Sequence, residues 1–286
     1  MKKLPQQLRD AFPKRPLDLH KYSAGTVTIV GGSVHFVHAP VIAGLGARAA
    51  GAGLVQLVVP DASRIAAGCL VPEATFTKQT PACVPPKADV TAIGMGLGTT
   101  QNAEMLLSRL LSGSAGRFVL DADALTILAN WYARKSSPLP VTDGQSLVLT
   151  PHAGEAARLL ACSPDDVLAD RLSALRRIVE RYRAIVVLKG PRTIVGAPGI
   201  DDVFTCDAGN PFMAMGGMGD LLSGVIAARW ARLARSGRDD AMLAASASVW
   251  LHASASDSIV HADPPGDPSI VNTAHAISSI RVSLER

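Results

Sequence analysis

Aromatic residues are scarce in this chain of 286 residues, where Phe, Trp and Tyr together make up 4%. Proteins that hold single strands of nucleic acid by base stacking need aromatic platforms, so that class is disfavoured. Charged residues reach only 18% against 48% hydrophobic ones, which excludes an intrinsically disordered chain. The net charge of +4 is small for this length. It suits an anionic small-molecule ligand, and we expect no nucleic-acid partner.

Cysteine and long hydrophobic runs are also rare. The four cysteines are far apart and form no CxxC pair, so we expect neither a disulfide framework nor a zinc site, and a reducing cytoplasm fits. No uninterrupted apolar run reaches the roughly 18 residues of a membrane-spanning helix. The first residues lack the apolar stretch of a signal peptide. These absences predict a cytoplasmic protein without a membrane span.

Short, continuous, apolar segments that alternate with helical patterns predict the fold. The predicted strands are 26–30, 54–59, 90–93, 118–120, 147–149 and 185–188, with a terminal pair at 193–195 and 203–205. The predicted helices include 40–50, 101–111, 221–234 and 240–256. Strands of this kind are typical of an α/β fold whose mostly parallel central sheet is covered by helices on both faces. We expect residues 1–286 to form a single domain.

Glycine or polar residues follow most of the predicted strands. These segments are 31–33, 94–98, 121–123, 150–152 and 189–190. In an open α/β sheet, ligands bind beyond the carboxyl ends of the strands. We therefore expect these segments to converge on one crevice.

The glycine-rich segment 216–220 precedes a long predicted helix, 221–234. Glycines there let backbone N–H groups approach an anion, and the helix N-terminus adds about half a positive charge. The segment predicts a phosphate-binding cradle, although the GxxxxGK[ST] motif is absent. Its acidic residue, Asp220, has two interpretations. It is either a cap of the helix or a general base aimed at a hydroxyl beside the phosphate.

Four polar residues at strand ends have competing interpretations. His152 is either a ligand contact or a structural histidine, and Lys189 is either a phosphate contact or half of a salt bridge. Asp121 and Asp123 either hold Mg²⁺ through water or end a strand and cap the next helix. No GxSxG elbow for a serine nucleophile is present.

The same segments, in the same order, resemble those of the ADP/ATP-dependent NAD(P)H-hydrate dehydratases, a carbohydrate-kinase-like family. The matching segments are 31–33 with 39–40, 49–55, 94–98, 120–125, 149–155, 186–193 and 209–220. The resemblance implies a ribokinase-like fold. It also implies a lyase that uses ADP or ATP to restore NADH or NADPH from the S epimer of the hydrated cofactor.

The resemblance also implies roles for individual residues. It assigns the hydrated nicotinamide nucleotide to Ala39, Gly98, His152 and Asp220, and Asp220 is the catalytic base. It assigns the adenine nucleotide to Lys189, Gly190, Pro191, Arg192, Thr193 and Gly219. The implied cofactor is Mg²⁺, without assigned protein ligands. The implied assembly is a homotetramer.

Larger members of the family also carry an epimerase domain at the N-terminus. Only about 25 residues precede the first predicted strand, so we expect that activity on a separate chain. The sequence departs from the usual family residues at His38, Phe212, Met215 and Met218. Two other functions share the cradle: a kinase of the same fold acting on a small hydroxymethyl compound or sugar, and a nucleotide-binding module without turnover.

Overall fold

The computed structural model describes residues 3–113, 116–134 and 146–286. In these parts of the chain, nine strands form one sheet in the order β3-β2-β1-β4-β5-β6-β7-β8-β9. The strands are β1 (Thr26–Val30), β2 (Leu54–Val59), β3 (Thr75–Lys78), β4 (Val90–Ile93), β5 (Arg117–Leu120), β6 (Ser146–Leu149), β7 (Ile185–Leu188), β8 (Ile194–Gly196) and β9 (Phe204–Thr205). All neighbours up to β7 pair in parallel, whereas β8 and β9 are antiparallel. The predicted α/β fold is confirmed.

Helices cover both faces of this sheet. They are α1 (Ala39–Ala49), α2 (Asp61–Leu70), α3 (Gln101–Leu111), α4 (Asp123–Ala133), α5 (Ala153–Leu160), α6 (Pro164–Ala169), α7 (Arg171–Tyr182), α8 (Met218–Arg235), α9 (Ala241–Val260) and α10 (Ile270–Leu284). The buried side chains of α1, α8, α9 and α10 form one core cluster, and those of α3, α4, α5 and α7 form another. Within β1, Val27 and Ile29 belong to the first cluster and Val30 to the second. A strand covered on both sides must be apolar at nearly every position, which is why these segments could be predicted.

The main differences from the prediction concern α8, β3 and α9. Helix α8 begins at Met218 rather than at position 221, because Gly217 takes a left-handed conformation with φ of +94° and the following residues are already helical. The edge strand β3 was not predicted, since it is short, polar and partly exposed. The predicted helix at 240–256 extends to Val260.

The helices α1 and α8 approach each other at two glycines. A Cβ built on Gly46 would lie 2.2 Å from the carbonyl oxygen of Leu221, and one on Gly224 would lie 1.8 Å from that of Ala43. No side chain fits in such gaps, so the two backbones are in contact. This contact fixes the N-terminal turn of α8 relative to β1 and α1.

A buried cluster of ion pairs joins α8 and α10 to the N-terminal segment. The Glu285 carboxylate accepts hydrogen bonds from Arg15 at 2.9 Å, from Arg281 at 2.7 Å and from Arg229. Arg229 is fully buried, and its guanidinium stacks on the Phe12 ring. Burial alone would raise the pKa of Glu285, but Arg229 and Arg281 outweigh it and hold that pKa below its usual value.

No helix within the described parts of the chain combines the length and hydropathy needed to span a membrane.

We expect Glu285→Gln to lower the free energy of unfolding at pH 7 by roughly 3–5 kcal/mol, because it leaves buried guanidinium groups without a counter-charge. A carboxyl group with a lowered pKa stabilises the fold above its unfolded pKa, near 4.3, and this contribution disappears as the pH falls through the folded pKa. The free energies of unfolding of the variant and the wild type, measured by urea denaturation, should therefore become equal in acid.

Asp10→Asn is the matched control, because Asp10 pairs with Arg238 at the surface and such pairs contribute about 1 kcal/mol or less. Equal losses in the two variants would contradict the role given to Glu285.

Candidate active site

The centre of the candidate site is an ion pair between Asp121, directly after β5, and Lys189, directly after β7. The Lys189 Nζ lies 2.8 Å from Asp121 Oδ1, and the Ser223 hydroxyl of α8 donates to Asp121 Oδ2 at 2.7 Å. Burial would raise the pKa of Asp121, but the Lys189 ammonium outweighs it and the pKa lies below its usual value. Burial alone would lower the pKa of Lys189. The negative charges of Asp121 and Glu155 outweigh this effect, so the pKa of Lys189 is raised. Both groups are therefore charged at neutral pH.

Asp220 lies in the first turn of α8, close to this pair. The helix is capped by Gly217 without any side-chain hydrogen bond, so Asp220 does not have the capping role that was one of its two interpretations. No described group donates a hydrogen bond to its carboxylate. Burial raises the pKa of Asp220 to about 7; the negative charge of Asp121 adds to this, and Lys189 opposes it. A carboxylate with this pKa can take up a proton at neutral pH.

The start of α8 and Lys189 together form an anion site. The first N–H groups of a helix have no intrahelical acceptor and carry a partial positive charge. Here the first backbone hydrogen bond is donated by Leu221 to Gly217. A Cβ on Gly219 would lie 3.2 Å from Lys189 Nζ, so the ammonium group and the helix N-terminus meet at this glycine. This arrangement supports the predicted phosphate cradle.

Asp257 of α9 holds the segment that leads into the cradle. Its carboxylate accepts hydrogen bonds from the Gly209 N–H and from the Asn210 side chain, both at 2.9 Å. The Asn210 side chain in turn accepts from the Phe212 N–H at 3.1 Å. Sequence reasoning did not single out Asp257, because nothing in its own helix marks it as a partner of a loop 47 residues earlier.

His152 caps α5 and is linked to the central pair. The His152 Nδ1 accepts a hydrogen bond from the Gly154 N–H at 3.0 Å, while the backbone N–H of His152 donates to Glu155 Oε2 at 2.8 Å. The His152 side chain is 56% exposed, which leaves its outer face available for a ligand. Glu155 is buried and lies 3.7 Å from Lys189 Nζ, so it connects the histidine to the ion pair.

Gly98 and Ala39 lie at the same edge of the sheet. The Gly98 N–H donates to Asp123 Oδ2 at 2.7 Å, and a Cβ on Gly98 would meet open space. Ala39 is the first residue of α1 and is packed close to Gly96. The two residues follow β4 and β1, whose carboxyl ends are adjacent.

The segment 189–193 forms the turn between β7 and β8, next to the central pair. Lys189 N–H donates to Pro151 at 2.8 Å, which ties the turn to the end of β6. The Thr193 hydroxyl donates to the Gly190 carbonyl at 3.0 Å, and the exposed Arg192 pairs with Asp207 at 2.9 Å. All of the residues predicted for the adenine nucleotide thus lie in this turn or at the start of α8.

Side chains of the described residues do not by themselves form a metal centre. Within the described residues, no three His, Cys, Asp or Glu side chains cluster closely enough to hold a metal ion. Both oxygens of Asp121 already accept hydrogen bonds. Mg²⁺ usually takes one or two carboxylates together with substrate phosphates, and the site fits only that mode of binding.

The site combines an anion cradle, a carboxylate of raised pKa and an ionised pair at strand ends. A comparison with known families agrees with this geometry. A family model for NAD(P)H-hydrate dehydratase matches residues 27–278. The chain belongs to the NAD(P)H-hydrate dehydratase family. This family also includes proteins that carry a second activity.

Two relatives illustrate the range of this dehydratase family. A bifunctional NAD(P)H-hydrate repair enzyme of Gloeobacter violaceus is 37% identical over 268 residues, which cover 89% of this chain and 49% of the relative. An ADP-dependent (S)-NAD(P)H-hydrate dehydratase of Neisseria meningitidis is 36% identical over 256 residues, which cover 87% of this chain and 81% of the relative. The chain thus spans about half the length of the bifunctional relative.

A solved dehydratase structure has the same fold. The ADP/ATP-dependent NAD(P)H-hydrate dehydratase of Bacillus subtilis, crystallised with ATP and Mg²⁺, superposes with a TM-score of 0.80 at 25% identity. The match covers 97% of this chain and 94% of that one. The ribokinase-like fold implied by the sequence is confirmed.

We expect Gly219→Ala to weaken ADP binding by about tenfold or more, because the new methyl group would displace Lys189 Nζ and a charge-assisted hydrogen bond contributes about 1.5–3 kcal/mol. Thermal stability should change little, since alanine is the better helix former and a contact at 3.2 Å requires only a small shift of Nζ, which leaves the ion pair with Asp121 in place. Isothermal titration calorimetry with ADP measures the first effect, and a melting curve measures the second.

Gly216→Ala is the matched control, because a Cβ there would meet nothing within 4 Å. Similar ADP affinities in the two variants would show that Lys189 does not bind the nucleotide at this point.

Proposed function

We propose that this chain dehydrates the S epimer of hydrated NADH or NADPH, with ADP or ATP as the co-substrate that drives the reaction. The observation that carries this function is the Asp220 carboxylate, which has no hydrogen-bond donor among the described residues, lies beside the anion cradle and has a pKa of about 7. The family membership supplies the substrate class.

Two groups of residues divide the site in this proposal. Ala39, Gly98, His152 and Asp220 contact the hydrated nicotinamide nucleotide. Gly219 and the turn 189–193 bind the adenine nucleotide. The support for this division is their placement: the first group surrounds the ends of β1, β4 and β6, and the second surrounds the end of β7 and the cradle.

In the first step, Asp220 takes the proton of the ring hydroxyl, whose oxygen attacks the terminal phosphorus of the nucleotide. A bond forms between this oxygen and phosphorus, and the bond to the bridging oxygen breaks, so ADP is released as AMP. Lys189 and the first N–H groups of α8 stabilise the negative charge that develops on the phosphoryl oxygens. The site is suited to this step because these donors are already in place.

In the second step, the ring carbon loses inorganic phosphate, which is a better leaving group than hydroxide. The lone pair of the ring nitrogen expels it, and solvent water takes a proton from the neighbouring ring carbon to restore the double bond. The hydroxyl oxygen ends in the inorganic phosphate, and of the two hydrogens of the eliminated water one stays on the phosphate and one is released as a proton. With ADP the net products are NADH, AMP, phosphate and a proton.

Mg²⁺ would neutralise charge on the transferred phosphate. We propose that the nucleotide phosphates hold it, because no protein cluster of metal ligands is found among the described residues. Asp123 is the carboxylate that fits a further contact, since within residues 3–113, 116–134 and 146–286 only one of its oxygens accepts a hydrogen bond, from Gly98.

The proposal extends to the assembly and the setting of the protein. One sheet links elements from β1 to β9, which supports one domain over residues 1–286. An epimerase is the functional partner, because it would supply the S epimer and the relatives include bifunctional repair enzymes. A homotetramer and a cytoplasmic location remain predictions.

The deciding experiment is incubation with hydrated NADH and either ADP or ATP, with absorbance followed at about 340 nm, where the reduced nicotinamide absorbs. Recovery of this absorbance together with release of phosphate supports the dehydratase. A stable phosphorylated product would instead indicate a kinase, and tight ADP binding without phosphate release would indicate a binding module.

We expect Asp220→Asn to lower turnover by about 10²–10⁴-fold, the usual contribution of a general base, while ADP still binds. The variant should be at least as stable as the wild type at pH 8, because a carboxyl group with a raised pKa disfavours the folded state once it is ionised. Wild-type turnover in this variant would remove Asp220 from the mechanism.

The raised pKa of Asp220 also predicts the pH dependence. The base must be deprotonated, so kcat/KM should increase with pH up to about 7 and then level off. ADP affinity measured over the same pH range is the control that separates catalysis from binding. A profile that is flat between pH 6 and 8 would be inconsistent with this assignment.

A further inference from the structure

Arg171, the first residue of α7, reaches into the turn between β7 and β8. Its guanidinium donates hydrogen bonds to three backbone carbonyls, those of Leu188 at 3.1 Å, Arg192 at 3.4 Å and Pro191. Arg171 begins a basic stretch, 171–183, whose helical spacing is by itself typical of a solvated helix face. These contacts show that its guanidinium binds the backbone between Leu188, the last residue of β7, and Arg192 in the turn.

The turn needs such support because two of its residues have unusual backbone conformations. Gly190 has φ of +146° and Arg192 has φ of +53°, and the second value is uncommon for a residue with a side chain. A Cβ on Gly190 would lie 3.2 Å from a terminal guanidinium nitrogen of Arg171. The guanidinium thus packs directly against the glycine that makes the turn possible.

The hydrogen bonds of Arg171 also decide which backbone groups remain for a ligand. The carbonyls of Pro191 and Arg192 are occupied by its N–H groups. Among the described residues, the backbone N–H groups of Gly190 and Arg192 donate to no protein acceptor. A turn with occupied carbonyls and available N–H groups presents donors to an anion, next to the Lys189 ammonium.

We propose that Arg171 is a positioning residue for the adenine nucleotide, acting through the turn 189–193 that it holds. Its planar fork satisfies several carbonyls at once, which a lysine ammonium on a flexible stem does not reproduce. The inference rests on the proposed function, since it takes the turn to be the nucleotide side of the site. It adds a residue outside the turn on which the nucleotide affinity depends.

The test compares ADP binding by calorimetry and steady-state kinetics in Arg171→Met, Arg171→Lys and the wild type. We expect the Kd and KM for ADP to rise by about tenfold or more in both variants, with kcat at saturating ADP within about twofold of the wild type. Rescue by lysine would show that only the positive charge matters and would overturn the positioning role. An unchanged Kd in Arg171→Met would overturn it as well.

Two further variants keep the result interpretable. Arg177→Met removes an exposed arginine of the same helix and should leave the Kd for ADP unchanged; an equal loss in this control would reduce the effect to net charge and overturn the proposal. If Arg171→Met does not fold, Gly190→Ala takes its place in the test. The new Cβ would lie 3.2 Å from the Arg171 guanidinium, so this variant should also raise the Kd for ADP. Calorimetry reports on ADP alone, so it decides the role of Arg171 even if hydrated NADH is not turned over.

Discussion

The buried ion pair between Lys189 and Asp121 is the constraint on which the site depends. Neither charge is tolerated alone in a buried position, so the strand ends that carry them must come together. Ser223 adds α8 to the same pair through its hydrogen bond to Asp121. Two strands and one helix are therefore tied together where the nucleotide and the substrate are proposed to meet.

The same pair sets the chemistry of Asp220. The negative charge of Asp121 opposes ionisation of Asp220, and the Lys189 ammonium favours it. Burial decides the balance and leaves a base that titrates near neutral pH. A lysine without its aspartate would act more strongly on Asp220, so the pair also limits how far the ammonium group lowers the pKa of the base.

Small residues place the catalytic helix. Because Gly46 and Gly224 remove side chains from the interface, α1 and α8 are in backbone contact, and the first turn of α8 is held against the end of β1. At these two glycines there is no room for a ring between the helices, whereas Trp230 is fully buried elsewhere on α8. The adenine and nicotinamide groups of the proposed ligands would find few aromatic side chains on which to stack.

Much of the architecture could be predicted because buried parallel strands are uniformly apolar. The bounds of β2, β4 and β7 agree with the prediction, whereas the polar edge strand β3 was missed. The start of α8 was predicted three residues too late, because a glycine run is typical of a loop and the φ of Gly217 cannot be read from the sequence. The segments that follow the strands were predicted from their positions, whereas the roles of Ala39, Arg192 and Gly219 were implied by the family resemblance.

The supporting residues of the site were harder to find. Asp257 and Arg171 act on backbone groups of distant segments, and a single sequence carries no mark of such contacts. The helical periodicity of the basic stretch 171–183 favours a solvated face for Arg171, because periodicity reports only how a helix packs on its own core. The carbonyls that Arg171 binds are brought to it by the tertiary fold.

The change from parallel to antiparallel pairing at β7 and β8 affects the entropy of ligand binding at the turn 189–193. Antiparallel neighbours can be joined by a short connection, and only residues 189–193 link these strands. A loop so short, anchored at both ends by the sheet, has little conformational entropy left to lose. Binding there should carry a small entropic penalty, so most of the interaction enthalpy would appear as affinity.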